Sequence, residues 1–315
     1  MIAIIPYTPD RAEDWNTAVR RSRNGTFLFE RGFMDYHADR FEDASLMFER
    51  DGRWLAVLPQ VRVGDEWHSH GGLTYGGLVL APEATVLDAI EIYDRIAEQA
   101  SHSAISCQTV TPVPHIYHAY PADEERYCLA RVGAVMVRGK ADSVIDLRNP
   151  LPARSMRRKG ERKAKRSGLS VTRIAETAEL DRFHEILVYN RQSRHGVDPV
   201  HSAAEMMLLQ GRFPDNIEHW AVHDTAGSLV AGAWVFLTRS CAHIQYAAYD
   251  DAGRDMNATD LLYLHLIEHY RTCKSYLAFG VSDDDRGLNE GLAWQKASFG
   301  ARTILHETYR RSFDG

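Results

Sequence analysis

The sequence predicts an α/β fold made of two similar units, and three observations carry that prediction. Strand-like and helix-like segments follow one another in the same order in the two halves of the 315-residue chain. The run Asn149-Pro150-Leu151-Pro152 breaks regular structure between them. The basic stretch "RSMRRKGERKAKRSG", Arg154 to Gly168, then opens the second half. The expected domains are residues 1–148 and 149–315, each a mixed sheet flanked by helices, with a basic helix over 154–166.

Each element follows from local pattern. "MIAIIPYTPDR" is too short an apolar run for a signal peptide and reads as a first strand. "DRAEDWNTAVRRSR" has helical character, with Asp10 available as its N-cap. "SLMFERDGRWLAVLPQVRVGDEWHSHG" reads as three strands separated by turns at "RDGR" and "VGDE". An amphipathic helix in "TVLDAIEIYDRIAEQA", a strand in "AISCQTVTP", a helix within "HIYHAYPADEERYCLARVG" and a strand in "AVMVRGKADSVIDL" complete the first half.

The second half repeats this order. Helices in "RIAETAELDRFHEILVYNRQSRHG" and "SAAEMMLLQGRF" precede three strands in "HWAVHDTAGSLVAGAWVFLTRSCAHIQYAAYDD". A helix in "ATDLLYLHLIEHYRT", a strand in "SYLAFGV", a helix in "LNEGLAWQKASFG" and a strand in "TILHETYRR" follow. Two helices share the pattern Ile-Glu-x-Tyr: Ile90, Glu91 and Tyr93, then Ile267, Glu268 and Tyr270. Both glutamates read as solvent-facing.

Charge separates the function classes. The chain carries −6, yet Arg154 to Arg166 alone carries +7, which leaves −13 elsewhere. A protein that binds long polyanions spreads its basic residues widely, whereas this is one local anion site. As a helix, the segment places Arg154, Arg158, Arg162 and Arg166 at successive i+4 positions, with Lys159 and Lys163 beside them. It reads either as a solvated helix or as a clamp for phosphate or diphosphate groups. No apolar run approaches the 18 residues of a membrane span. Cys107, Cys128, Cys241 and Cys273 form no CxxC pair, which points to reduced thiols and a cytoplasmic protein.

The stretches "NATDLLYLHLIEHY" and "LAFGVSDDDRGLNEGLAWQKASFGA" resemble the C-terminal signature of acyltransferases related to the Fem peptidyl transferases. "FLFERGFMDYHADRF" with "LPQVRVGDEWHSHGGLTYGGL" is similar to the N-terminal half of that group, and "MRRKGERKAKRSGLSV" to its basic helix. The resemblance implies two tandem GNAT-like domains and transfer of an acyl or aminoacyl group onto an amine. It implies an acyl-CoA donor or an aminoacyl-tRNA held at its acceptor end. The implied acceptor is a small or nucleotide-linked amine, in cell-wall or polysaccharide biosynthesis. Two departures stand out: no coiled-coil arm, and "YDDAGRDMNATD" where the Arg/Gln-x-x-Gly-x-Gly/Ala phosphate loop of typical GNAT enzymes would lie. A non-catalytic polyanion-binding module is the remaining alternative.

The resemblance gives Lys296 a role at the oxyanion or the donor ester. Asn257 and Asp260 are expected to cap the following helix or to meet an anion at its N-terminus. Ser282, Asp283 and Asn289 lie in a loop after a strand, where open α/β sheets place ligands. In the first half, Asp35, Tyr36 and His37 form a polar triplet among aromatics, with His37 as a candidate general base. His70 and Tyr75 are candidates to line an acceptor pocket among glycines. His68 and His70 share one strand face but have no third ligand at metal-binding spacing, so no metal is expected.

Overall fold

The computed structural model describes residues 1–69, 71–174, 176–284 and 286–313 and, within them, every side chain but those of 194 and 195. The first half holds β1 (Ala3–Pro6), α1 (Ala12–Arg21), α2 (Arg31–Met34), β2 (Glu42–Asp43), β3 (Leu46–Arg50), β4 (Arg53–Leu58) and β5 (Val61–Val63). β6 (Glu66–His68), β7 (Val79–Leu80), α3 (Val86–His102), β8 (Cys107–Val110), α4 (Glu124–Arg131) and β9 (Val135–Asp146) follow. The second half opens with α5 (Ser155–Arg166), β10 (Ser170–Arg173), α6 (Thr177–His195), α7 (Ala203–Arg212), β11 (Ile217–His223), β12 (Leu229–Leu237) and β13 (Cys241–Tyr249). It ends with α8 (Asp251–Asp255), α9 (Ala258–Tyr270), β14 (Tyr276–Val281), β15 (Asp283–Asp284), β16 (Gly287–Leu288), α10 (Glu290–Ala297) and β17 (Arg302–Ser312).

Two compact units emerge, Met1–Lys140 with Leu305–Gly315, and Ala141–Ile304. The sequence reading put its division at 148/149 and left the last strand with the second half. The physical reason for the difference lies in β9, whose residues 142–146 already pair with β14 before the proline break is reached.

In the first unit, β1-β3-β4-β7 form an antiparallel sheet. Asp51 and Gly52 make the β3–β4 turn with φ of 51° and 75°, the left-handed pair that a tight hairpin needs. Thr85 and Asp88 form a capping box on α3, whose Ala89, Ile92, Tyr93 and Ile96 are buried in the core. Glu91 is not solvent-facing: it accepts from Ile2 N at 2.5 Å and pairs with Arg50 at 2.7 Å. Asp10 caps nothing, because it lies in a 3-10 turn and Arg11 takes the N-cap position of α1. Among the described residues, 71–78 connect to β7 without forming a regular strand.

In the second unit the strand order is β10-β11-β12-β13-β14-β9, antiparallel except for the parallel pair β13–β14. A parallel pair requires a crossover, and α9 supplies it. β12 is buried on both faces: Ala231, Ala233, Val235 and Leu237 join α9 and Ala164 of α5 in one core. Gly232 lies on the other face, where a Cβ would stand 2.6 Å from Phe183 Cδ2 of α6. Helices therefore cover both faces of this sheet.

The basic helix forms as expected over Ser155–Arg166, and its inner face decides where it sits. Gly160 and Ala164 are its buried residues. A Cβ on Gly160 would lie 1.9 Å from Asp260 Oδ2, so α5 approaches α9 more closely than any larger residue allows. Arg157 turns inward here, donating to Asp260 Oδ1 at 2.9 Å and Ser298 Oγ at 2.7 Å, with its guanidinium 4.8 Å from the Phe299 ring centre. Gly160→Ala should lower stability by about 1–3 kcal/mol through overpacking, although alanine favours a helix. Chemical denaturation measures this, and an unchanged midpoint would show that Asp260 yields freely.

Candidate active site

The site begins where a parallel ladder stops. β13 and β14 pair at Cys241↔Tyr276, Ala242↔Leu277 and His243↔Ala278. β13 then continues to Tyr249 without β14, while β14 shifts register between Ala278 and Val281 to pair with Asp142 of β9. Gly280 makes that shift with φ 76°, a conformation that side chains other than glycine's disfavour. The two strands thus fork at their carboxyl ends, the position at which open α/β sheets bind ligands.

Lys296 of α10 holds one tine of the fork. Its Nζ donates to Gly280 O at 2.8 Å and Val281 O at 2.7 Å, the carbonyls that the bulge takes out of the ladder. An ammonium has three N–H donors, so one remains for another partner. The side chain is 7% exposed, and burial pulls its pKa down to about 8 against the opposing pull of Asp142. Burial in turn pushes the Asp142 carboxyl up to about 7, with Lys296 opposing. Asp142 Oδ1 has no hydrogen-bond partner among the described residues. Sequence reasoning missed Asp142. Its only signal was an acid in the middle of the strand pattern "GKADSVIDL".

The second component is an anion environment at the start of α9. Asn257 stands at its N-cap with a left-handed φ of 62° and gives no side-chain cap. The first N–H groups of α9 therefore lack the usual side-chain acceptor, and the helix end favours negative charge. Lys163 of α5 reaches this junction, donating to Asp255 O at 2.7 Å. Lys159, Arg162 and Arg166 project from the exposed face of α5 and have no ion-pair partner among the described residues. Arg158 is exposed and donates to Ala153 O. In place of a glycine-rich loop stands α8, carrying Asp251 and Asp255.

Other expected site residues have structural partners. Asp260 does not cap α9: it is buried against Arg157, and burial raises its pKa despite that pair. Ser282 is fully buried, its Oγ 3.2 Å from Ser143 Oγ. Asn289 caps α10 by accepting from Leu292 N at 3.0 Å, and Asp283 accepts from Ala141 N at 2.7 Å. In the first unit, Tyr75 is buried and donates to Thr26 Oγ1 at 3.2 Å, so it belongs to the core and not to an open pocket. Asp35 pairs with Arg31 at 2.6 Å, His37 is buried with its ring 4.2 Å from that of Tyr36, and Tyr36 meets the edge of Phe33. His70 lies outside the described residues. No metal-binding group of three or more His, Cys, Asp or Glu occurs among the described residues, and none of their helices is long and apolar enough to cross a membrane.

Residues 153–286 match the family described as Acetyltransferase (GNAT) domain. The structure of FemX superimposes with a TM-score of 0.71 at 12% identity, covering 98% of this chain and 96% of that one. A tandem GNAT protein from the clavulanic acid biosynthesis pathway gives 0.56 at 12% identity, covering 100% and 99%. The chain has a tandem GNAT fold of the Fem-like type. The C-terminal domain of a protein described as a lysylphosphatidylglycerol synthetase from Agrobacterium fabrum gives 0.59 at 15% identity, covering 97% and 91%. No curated protein matches the chain in sequence. The GNAT-type half is the one that holds the fork, Lys296 lying ten residues beyond the matched segment.

A pH effect on stability follows for Lys296→Met. Without the ammonium, Asp142 faces burial alone and its folded-state pKa rises further above its unfolded value. Such a group stabilises the fold below its unfolded pKa, and that contribution is lost as pH rises through the folded pKa. The variant's melting temperature should therefore go on falling from about pH 7 to about pH 8, where the parent's Asp142 has already ionised. Parallel melting curves across that range would show that the two groups are not coupled.

Proposed function

We propose that this protein is an N-acyltransferase that moves an acyl group from a phosphate-bearing thioester, acyl-CoA, to the neutral amine of a small or nucleotide-linked acceptor. The observation that carries the reading is the fork between β13 and β14 with Lys296 at its edge. The amine nitrogen attacks the thioester carbonyl, the C–N bond forms, and the C–S bond breaks as the thiolate leaves. The amine's extra proton goes to the thiolate or to solvent. Lys296 uses its remaining N–H to stabilise the oxyanion, an effect worth about 2.7–4 kcal/mol for one well-placed donor. The open end of α9 and the free cations of α5 hold the donor's phosphates. Holding both substrates supplies much of the remaining acceleration.

A second reading keeps the chemistry and changes the donor to an aminoacyl-tRNA. The observation favouring it is acidic α8, where a diphosphate would otherwise sit in a glycine-rich loop. Phosphodiesters lying along α5 avoid those carboxylates.

Thermal shift and turnover with acetyl-CoA, CoA and charged tRNA separate the donors. Acetyl-CoA should raise the melting temperature, and Arg158→Glu with Arg162→Glu should lower donor kcat/KM by about 10–100-fold, the worth of charge-assisted hydrogen bonds. A response to charged tRNA alone transfers the reading to the ester donor. RNA binding with a steep salt slope and no turnover would instead establish a polyanion-binding module. Lys296→Met should reduce kcat by about 10²–10³ with little change in KM. It should also remove the fall in rate above about pH 8, where the parent's ammonium deprotonates. A fall that persists in the variant belongs to another group.

A further inference from the structure

The first unit holds a cavity that the acyl-transfer chemistry leaves unused. Its walls are the second half of α1, the β3–β4 turn as it enters β4, and the loop between β7 and α3. The cavity has a volume of about 320 Å³. Ligand pockets span roughly 300–1,000 Å³, so this one suits a small metabolite. It opens to solvent, because Arg21, Arg53 and Glu83 on its walls are exposed and Trp54 is half-buried.

The walls are tied to one another by the backbone. Ala81 N donates to Leu55 O at 2.9 Å, which fixes the loop after β7 against β4. Arg23 N donates to Leu80 O at 2.8 Å, which fixes the same loop against the end of α1. The left-handed pair Asp51-Gly52 sets the direction in which Arg53 and Trp54 leave the turn.

What marks the cavity is unspent charge. Arg20, Arg23, Arg31 and Arg50 in the same unit each pair with a carboxylate. The side chains of Arg21, Arg53 and Glu83 have no hydrogen-bond or ion-pair partner among the described residues, although all three line one space. Two guanidiniums and one carboxylate thus border the cavity without meeting across it. Their complement is a molecule with two carboxylates and one ammonium. A phosphate or a nucleotide brings negative charge alone and would set it against Glu83. A monocarboxylic amino acid would leave one guanidinium without a carboxylate to fork onto. Ala18, Ala81 and Pro82 add apolar wall for a short methylene chain, and the Trp54 indole favours a nearby cation.

We propose that this cavity binds a free acidic α-amino acid, its two carboxylates on Arg21 and Arg53 and its ammonium on Glu83. The cavity shares no residue with the fork, so this site stands or falls apart from the acyl-transfer reading.

The test follows the Trp54 indole N–H resonance of the 15N-labelled full chain, identified by its loss in Trp54→Phe. Titration calorimetry runs in parallel and needs no assignment. The ligands are L-glutamate, L-aspartate, L-glutamine, glutarate and inorganic phosphate. One of the two acidic amino acids should bind saturably. L-Glutamine lacks one carboxylate and glutarate lacks the ammonium, so each should bind at least about tenfold more weakly. Arg21→Gln and Arg53→Gln should each weaken the acidic amino acid by about 10–100-fold. Glu83→Gln should weaken it too, yet strengthen glutarate, because the same change removes an attraction for one and a repulsion for the other. All three side chains are exposed, so these variants should melt with the parent. Absence of saturable binding by both acidic amino acids overturns the proposal. Equal binding of glutarate or phosphate, or a Glu83→Gln variant with the parent's preference, reduces the cavity to an anion patch and overturns it as well.

Discussion

A single buried ammonium makes the fork possible. Ending a parallel ladder after three pairs leaves strand carbonyls that must find donors or be strongly penalised. Lys296 supplies them to Gly280 and Val281. Its own burial is tolerable because those oxygens and the Asp142 carboxyl surround the charge. The bulge, the departure of β14 toward β9 and the direction of α10 are therefore parts of one electrostatic arrangement.

The basic segment divides its labour in a comparable way. Arg157 faces inward, where Asp260, Ser298 and the Phe299 ring account for its donors and its charge. Gly160 and Ala164 let the helix press against α9. Lys165 pairs with Glu161 at the surface, and Lys163 reaches the α8–α9 junction. Lys159, Arg162 and Arg166 remain without ionic partners among the described residues. Like charges repel along such a helix, so its close packing onto α9 offsets a local cost and concentrates positive potential beside an uncapped helix end.

The repeat is more legible in physics than in identity. The two Ile-Glu-x-Tyr helices each bury the tyrosine and direct its hydroxyl to a glutamate, Tyr93 to Glu125 at 3.3 Å and Tyr270 to Glu218 at 2.6 Å. The intervening glutamates have diverged, Glu91 into a buttress for Arg50 and Ile2 N, Glu268 into a surface residue. A pattern position shared by two helices thus predicts burial for its large residue and says little about its polar one.

By itself the sequence determined the order of elements, the basic helix and the turn at Asp51-Gly52. These follow from periodicity, composition and short-range stereochemistry, which one segment contains in full. The resemblance to Fem-like acyltransferases was likewise carried by contiguous stretches. Only the tertiary structure decided that Asp260 and Tyr75 are core groups and that Asn289 is a cap. It also brought Asp142 beside Lys296, 154 positions away in the chain, and lined up His219, Trp234 and Tyr246 from three strands. Charge pairing and cross-strand register depend on where distant segments meet, and no local pattern encodes that meeting.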